Sequence, residues 1–259
     1  MSPGAGDEQP YDALAPVYDF LVPESLLDPA ESFAAFRGAV DDLPAGAPVL
    51  DCASGPGHLA VGLAQAGFTV TATDASAAMT SRATALADAH GVRVTVERLT
   101  WDQLAGRAWD GAFAAVFCVG NSLTHAGPAE ARRRALRVMS RLLRPGGRLL
   151  VTSRNWELVR STGTRLEVAD RLVVRAGRRG LVVRDWVIPR DWTERHRLRV
   201  AVALLDEEDR VQTIAQDLDL WPFRHEELLD DLAAAGLDIQ ATTYSPDEDR
   251  YLVVARRPG

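Results

Sequence analysis

The chain contains no lysine: all 29 of its basic residues are arginine. That excludes a lysine Schiff base and a lysine general base. Cysteine is nearly absent as well. Cys52 and Cys118 are the only two. Both fall in apolar runs that read as buried strands, and they give neither a disulfide framework nor a metal-ligand spacing. The charge balance is acidic. A net charge of −7 and a pI near 5.3 leave no electrostatic footprint for nucleic acid. No apolar run reaches the length of a bilayer span, and the polar, acidic N-terminus lacks the apolar core of a signal peptide. Internal repeats and coiled-coil patterns do not occur. What is present is apolar bulk. A hydrophobic content of 47% over 259 residues supports one large α/β domain, or one domain with a sizeable insertion.

The stretch around which the chain is organised is Val49-Leu50-Asp51-Cys52-Ala53-Ser54-Gly55-Pro56-Gly57-His58. An apolar run ends in Asp51, two glycines follow one residue apart, and an apolar helical run, Leu59 to Gln65, starts behind them and stops at Gly67. This is a strand, a tight glycine turn and a helix, the first unit of a nucleotide-type fold. Gly55 and Gly57 lack a Cβ, so a ligand can rest on the backbone there. Gly55-x-Gly57-x-x-Ala60 also satisfies the dinucleotide pattern, so the glycines alone leave the ligand open. Asp51 separates the possibilities. A carboxylate at the end of that strand faces the ligand crevice; it repels a pyrophosphate and attracts a cation such as the ammonium and sulfonium of S-adenosylmethionine.

Phe68 to Thr73 alternates as a second strand and ends in Asp74. An acid there accepts hydrogen bonds from ribose hydroxyls; Asp74-Ala75-Ser76 also reads as a helix N-cap. Val92 to Glu97 is a third strand, followed at the same rim by Leu99-Thr100-Trp101-Asp102. Trp101 offers a ring face or an N–H donor, or else packs in the core. Gly111 to Val119 is apolar on both faces, as a central parallel strand should be. It runs into Gly120-Asn121-Ser122-Leu123-Thr124-His125, a turn more polar than packing requires. A helix, Ala129 to Leu143, leads through the turn Arg144-Pro145-Gly146-Gly147 to a fifth strand, Arg148 to Ser153.

Beyond Arg154-Asn155-Trp156 the character changes. Four alternating segments, Leu166 to Arg175, Gly180 to Ile188, Glu194 to Leu205 and Val211 to Leu220, read as an inserted antiparallel meander with Asp206-Glu207-Glu208-Asp209 as punctuation. Trp156, Trp186, Trp192 and Trp221 fall in or beside it, as its core or as faces for a planar or cationic substrate. A helix, Glu226 to Ala235, and a hairpin of Leu237 to Tyr244 with Tyr251 to Arg256 close the chain. Upstream, Met1 to Gln9 is expected to be unstructured. Tyr11 to Asp19 reads as an amphipathic segment over the core, and Ala30 to Leu43 as one helix with Phe33, Phe36, Val40 and Leu43 on its apolar face. The expected architecture is an α/β, Rossmann-like, doubly wound sheet of seven strands with an inserted antiparallel β lid. It divides into an N-terminal helical cap (1–44), a ligand-binding core (45–160), the lid (161–222) and the end of the core (223–259).

Several separated motifs then agree. Asp51-x-x-x-Gly55-x-Gly57, Asp74-Ala75-Ser76, Val119-Gly120-Asn121-Ser122-x-x-His125, Arg144-Pro145-Gly146-Gly147 and Arg154-Asn155 occur in this order. Over roughly residues 45–160 the chain resembles glycine N-methyltransferase and the glycine/sarcosine methyltransferases, class I enzymes that use S-adenosylmethionine. The resemblance implies that Gly55 and Gly57, with the Ala53–Ser54 backbone and beside Asp51, cradle the methionine part of that cofactor. It assigns the ribose to Asp74, next to Ala75, and the adenine to Met79, Thr100 and Trp101. Val119, Asn121, Ser122 and His125 would line the methyl-transfer site, His125 as a base or as a positioning group. Tyr11 and Tyr18 would cover the site, and Arg154 would hold an acidic substrate. Asp28-Pro29-Ala30-Glu31 stands where the glycine enzymes carry an Arg and Tyr set. The implied activity is methyl transfer to an amine or amino-acid-like nitrogen of a small molecule. Alternatives are an aromatic or indolic acceptor methylated at C, N or O, and a non-catalytic protein binding S-adenosylmethionine or NAD. No metal, nucleic acid or membrane is expected as a partner. A cytoplasmic location is expected, and a homo-oligomer is left open.

Overall fold

Parallel strands carry the first half of the chain: β1 (Pro48–Asp51), β2 (Thr69–Asp74), β3 (Val94–Arg98), β4 (Phe113–Cys118) and β5 (Leu143–Arg154). A second set follows: β6 (Arg165–Val168), β7 (Val173–Arg175), β8 (Arg178–Val187), β9 (His196–Leu205) and β10 (Val211–Leu220). The chain then returns with β11 (Asp238–Thr242) and β12 (Arg250–Arg256). The computed structural model describes residues 9–206 and 210–259. The expectation for the N-terminus thus falls, for residues 1–8, outside the described residues, as does Glu207-Glu208-Asp209 of the acidic punctuation.

The main sheet has the order β11-β12-β5-β4-β1-β2-β3, and β12 runs antiparallel to both of its neighbours. β1 and β4 are adjacent and parallel, so the strand order reverses between them. A crevice opens there, outside the carboxyl ends of the strands. Every residue of β4 is buried. Leu50, Cys52, Val116 and Cys118 point to one face, against the helices Ala129–Leu142 and His225–Ala234; Val49, Ala115 and Phe117 point to the other. This two-sided burial explains the unbroken apolar run.

The helices are α1 (Pro10–Leu14), α2 (Tyr18–Leu21), α3 (Pro29–Ala34), α4 (His58–Gln65), α5 (Ala77–Ala89), α6 (Trp101–Leu104), α7 (Ala129–Leu142), α8 (Trp156–Ser161) and α9 (His225–Ala234). The single helix expected over Ala30 to Leu43 is two pieces. α3 ends at Ala34, and a separate 3-10 turn, Arg37–Ala39, carries Gly38, a poor helix former. The apolar pattern is kept nonetheless: Phe33, Phe36 and Val40 are buried in one cluster, with Leu43 packed on it. α3 and α4 touch by backbone, since a Cβ on Gly62 would lie 2.1 Å from the Pro29 carbonyl oxygen. The expected turn Arg144–Gly147 is drawn into β5. Leu143 pairs with Phe113 and Arg148 with Ala115, so the intervening residues bulge between two registered positions.

The inserted segment forms its own sheet, β10-β9-β8-β6, with β7 also on β8. The expected strand Leu166 to Arg175 is therefore two short strands. β6 pairs with the C-terminal half of β8, and β7 pairs with its first residues. The inner face packs on Leu14, Val17 and Phe20 of the N-terminal cap and on Trp156 of α8. Gly180 lets this happen: a Cβ there would sit 2.7 Å from the Phe20 ring. Among the described residues no helix is long and apolar enough to cross a membrane.

Candidate active site

A cavity of about 840 Å³ opens at the carboxyl ends of β1, β2 and β4 and extends to β5, β12 and the lid. Its floor is the loop after β1. Asp51, Ala53, Ser54 and Gly55 line it, with Asp74, Ala75 and Met79 from the β2–α5 connection. Thr100 and Trp101 come from the start of α6, and Val119, Ser122 and His125 from the turn after β4. Tyr11 and Tyr18 cover it from the N-terminal cap.

Asp51 sits 1% exposed at the end of β1. Its Oδ1 accepts from the Ala53 N–H at 3.4 Å, while Oδ2 is buried with no hydrogen-bond partner. Burial pushes this carboxyl up to about 7; the Ala53 N–H opposes the shift, and repulsion from Asp74 adds to it. An ionised, unpartnered carboxylate in such a place is costly, so Oδ2 suits a cationic ligand. Asp74 serves the loop first. Its two oxygens accept from the Gly55 N–H at 2.8 Å and the Ser76 N–H at 2.9 Å, and burial raises its pKa. The α5 N-cap itself is Ser76, which accepts from the Met79 N–H. Each Asp74 oxygen has a lone pair left for a hydroxyl.

The two glycines have different jobs, contrary to the expectation that both admit a ligand. Gly55 (φ +51°) lines the cavity, and a Cβ on it would meet only the Tyr18 hydroxyl, at 3.7 Å. Gly57 (φ +91°) is not in the cavity wall; its Cβ would lie 2.8 Å from the Ala83 Cβ, so it is needed for close contact of the loop with α5. Trp101 cannot donate to a ligand as its type allows. Its N–H is spent on the Cys52 carbonyl at 2.7 Å, leaving only its ring to the cavity. The Thr100 hydroxyl accepts from the Gln103 N–H as the N-cap of α6, which leaves its O–H free to donate.

Asn121 differs from expectation in the same way. It sits outside the cavity wall in a left-handed conformation (φ +68°). Its Oδ1 accepts from the Arg154 N–H at 3.0 Å and its Nδ2 donates to the Thr124 hydroxyl. It ties the end of β4 to the end of β5, positioning both. The Ser122 hydroxyl donates to the Val119 carbonyl. His125 Nε2 lies 3.1 Å from the Tyr11 hydroxyl, and the backbone carbonyl of Asp219 engages the ring. Burial lowers its pKa to about 4, so the imidazole is neutral at working pH. One ring nitrogen faces a carbonyl and the other a hydroxyl, which together fix the orientation of the ring. Burial raises the Tyr11 pKa strongly and pushes Tyr18 up to about 12; both stay as neutral phenols.

Arg154 lies beside the cavity, not in its wall. Its Nη1 is 3.4 Å from Asp249 Oδ2, and its guanidinium stands 5.6 Å from the Trp186 ring. The lid tryptophans are not substrate faces. Trp156 and Trp186 are buried in the lid core, Trp192 is flanked by Arg160 and Arg224, and the cavity wall contains none of the four.

Three features were not anticipated from the sequence. Arg250 lines the cavity from the start of β12. Ser54 Oγ is buried in its floor without a partner. Asp12 of α1 accepts from the Ser76 hydroxyl at 2.5 Å and from the Ala78 N–H at 3.0 Å, so the cap clasps the first turn of α5. The alternation of Arg250 with Leu252 was a readable signal for the first. The other two depend on contacts between distant segments.

Residues 49–147 match the methyltransferase domain family. Glycine/sarcosine N-methyltransferase of Halorhodospira halochloris is 34% identical over 109 residues, 42% of this chain and 40% of that protein. Glycine N-methyltransferase of Rattus norvegicus is 35% identical over 129 residues, 44% of this chain and 43% of that one. The matches thus span less than half the length of these relatives. Over nearly the whole length the fold matches a crystal structure of an S-adenosylmethionine-dependent methyltransferase from Clostridium acetobutylicum, with a TM-score of 0.76, 15% identity, and coverage of 97% of this chain and 100% of the other. It also matches the S-adenosylmethionine-bound amino pentose methyltransferase of Micromonospora echinaspora, with a TM-score of 0.72, 23% identity and coverage of 96% and 97%. Residues 49–147 are thus similar to a methyltransferase domain, and the chain shares the fold of these solved S-adenosylmethionine-dependent methyltransferases.

Proposed function

We propose that this protein is an S-adenosylmethionine-dependent methyltransferase acting on a nitrogen of a small-molecule amine. The observation that carries the reading is the unpartnered Oδ2 of Asp51 on the cavity floor. A cationic ligand fits it, and a phosphate does not. Beside it Gly55 leaves the backbone open, and Asp74 retains acceptor capacity for ribose hydroxyls. The ring of Trp101 and the side chain of Met79 supply apolar surface for a base. The N-methyltransferase relatives, at 34% and 35% identity, support nitrogen as the acceptor.

The cofactor supplies an activated methyl group on a sulfonium. The protein's part is then approach geometry and exclusion of water. Tyr11 and His125 hold one another at 3.1 Å beside the turn after β4, and Asn121 fixes that turn to β5. A neutral His125 with a pKa near 4 is too weak a base to ionise a phenol. It suits an amine that arrives already neutral.

The test is calorimetric titration with S-adenosylhomocysteine and, separately, NAD, followed by methyl-transfer assays on amines that include glycine and sarcosine. Micromolar binding of the first (about −8 kcal/mol), no binding of NAD, and methylation of an amine are expected. NAD binding without S-adenosylhomocysteine binding would overturn the reading.

A further inference from the structure

Arg154 and Arg250 are cross-strand partners in the β5–β12 pair, so their side chains leave the same face of the sheet. Thr152 and Leu252, the next pair on that face, line the cavity, as Arg250 does. From the lid, Trp186 of β8 lies against the Arg154 guanidinium. Arg184, two residues earlier on β8, shares its face. Arg184 also donates from Nη2 to the Leu21 carbonyl at the end of α2, at 3.2 Å. Core, lid and cap thus bring three guanidiniums to one corner, next to Tyr18 of α2.

Little there neutralises them. Asp249, itself 65% exposed, reaches Arg154 at 3.4 Å. Glu167, the cross-strand partner of Arg184, is held at 2.6 Å by Arg165. Among the described residues no carboxylate lies within ion-pair distance of Arg184 or Arg250. Arg250 is exposed and lines the cavity, so its guanidinium is reachable from there. The pKa values of Arg184 and Arg250 are both lowered, by burial first and then by repulsion from Arg154. Folding gains nothing from holding like charges together in this way, and two guanidiniums remain in excess.

We infer that Arg154, Arg184 and Arg250 form a subsite for a doubly charged group of the acceptor, a phosphate or diphosphate, so that the substrate is a phosphorylated or diphosphate-linked amine and not a free amino acid. The inference rests on the proposed function, because it places this group on the acceptor of that reaction. One carboxylate would answer one bidentate guanidinium and leave the excess standing. A phosphate or diphosphate offers enough oxygens for forks from several arginines.

The experiment uses the full chain, with and without saturating S-adenosylhomocysteine, titrated with inorganic pyrophosphate, inorganic phosphate and glycine. Pyrophosphate is expected to bind at least tenfold more tightly than glycine. R184Q and R250Q are each expected to weaken pyrophosphate at least tenfold and to leave S-adenosylhomocysteine affinity unchanged, which also shows that they fold. R137Q, which removes a surface charge paired with Glu130, is the control and should change neither. Glycine binding as tightly as pyrophosphate, or pyrophosphate binding unchanged in the R184Q/R250Q double variant, overturns the subsite. If S-adenosylhomocysteine fails to bind the unaltered protein, the proposed function falls instead, and the pyrophosphate titration without it still reads the arginine corner.

Discussion

The two ends of the cavity are built on opposite charge. Under β1 and β2 the groups that face inward are the carboxylates of Asp51 and Asp74. At the β5–β12 corner Arg250 is in the wall, with Arg154 and Arg184 beside it, while Asp217 and Asp219, which line the cavity from β10, are ion-paired to Arg199 and Arg195. Each end holds charge that its own surroundings leave uncompensated: Oδ2 of Asp51 on one side, Arg184 and Arg250 on the other. They also differ in how they are assembled. Asp51 to Gly57 is one uninterrupted loop, and Asp74 joins it through a single hydrogen bond to Gly55. The arginine corner draws on three strands from distant parts of the chain. A site can be electrostatically unfinished at both ends, and each unfinished end names the charge of what completes it.

The largest effect is expected at Asp51. Its folded-state pKa is raised, from 3.8 to about 7, so its cost to stability builds up as pH rises from the unfolded value to 7, is complete above 7 and is absent below the unfolded value. Asp51→Asn should therefore be more stable than the unaltered protein at pH 8, by about 2 kcal/mol, and this advantage should shrink as pH falls below 7 and vanish only below about 4. The same variant should bind S-adenosylhomocysteine about 100-fold more weakly, about 3 kcal/mol. Calorimetry and thermal unfolding on one preparation check both; unchanged affinity would remove Asp51 from the cofactor end.

The glycine pair sharpens the comparison within that end. Gly57→Ala puts a Cβ 2.8 Å from Ala83 at a positive φ and should cost about 3 kcal/mol of stability. Gly55→Ala meets only the Tyr18 hydroxyl at 3.7 Å. It should cost about 1 kcal/mol of stability while weakening S-adenosylhomocysteine. Urea unfolding beside ligand titration separates the two, and equal stability losses would contradict the assignment.

The smallest effect concerns the clasp between cap and core. Asp12→Ala removes the acceptor for Ser76 and Ala78 and should cost about 1 kcal/mol, as loss of a helix cap does. Amide exchange in residues 10–21 and in the first turn of α5 should quicken. Exchange confined to one of the two segments would mean that they are not coupled.

Legibility in the sequence followed the same division. The seven strands of the main sheet, the order of loop and helix after β1, and the inserted antiparallel segment were readable, because two-sided burial and alternation leave local patterns. So was the list of rim residues from Asp51 to His125, most of which line the cavity. What each of them does there was not. Trp101 and Asn121 have polar groups that any pattern would offer to a ligand, yet the Cys52 carbonyl and the Arg154 N–H consume them. Such consumption depends on residues 33 to 49 positions away, which no local spacing encodes. Arg184 and Arg250 read as ordinary strand-face charges until the β5–β12 register and the lid bring them beside Arg154. The break after α3 was missed because the apolar spacing continues through it, and only the 3-10 turn reveals that the helix does not.

The buried carboxyl under β1 has one more consequence, in the heat that binding releases. With a pKa near 7, Asp51 is about half protonated in neutral solution. A cation seated against it draws it to the ionised form, so forming the complex expels about half a proton per molecule. The buffer takes up that proton, with its own enthalpy. The same protein and ligand will therefore yield different apparent enthalpies in phosphate and in Tris at pH 7. The difference counts, without any substitution, the proton that Asp51 gave up.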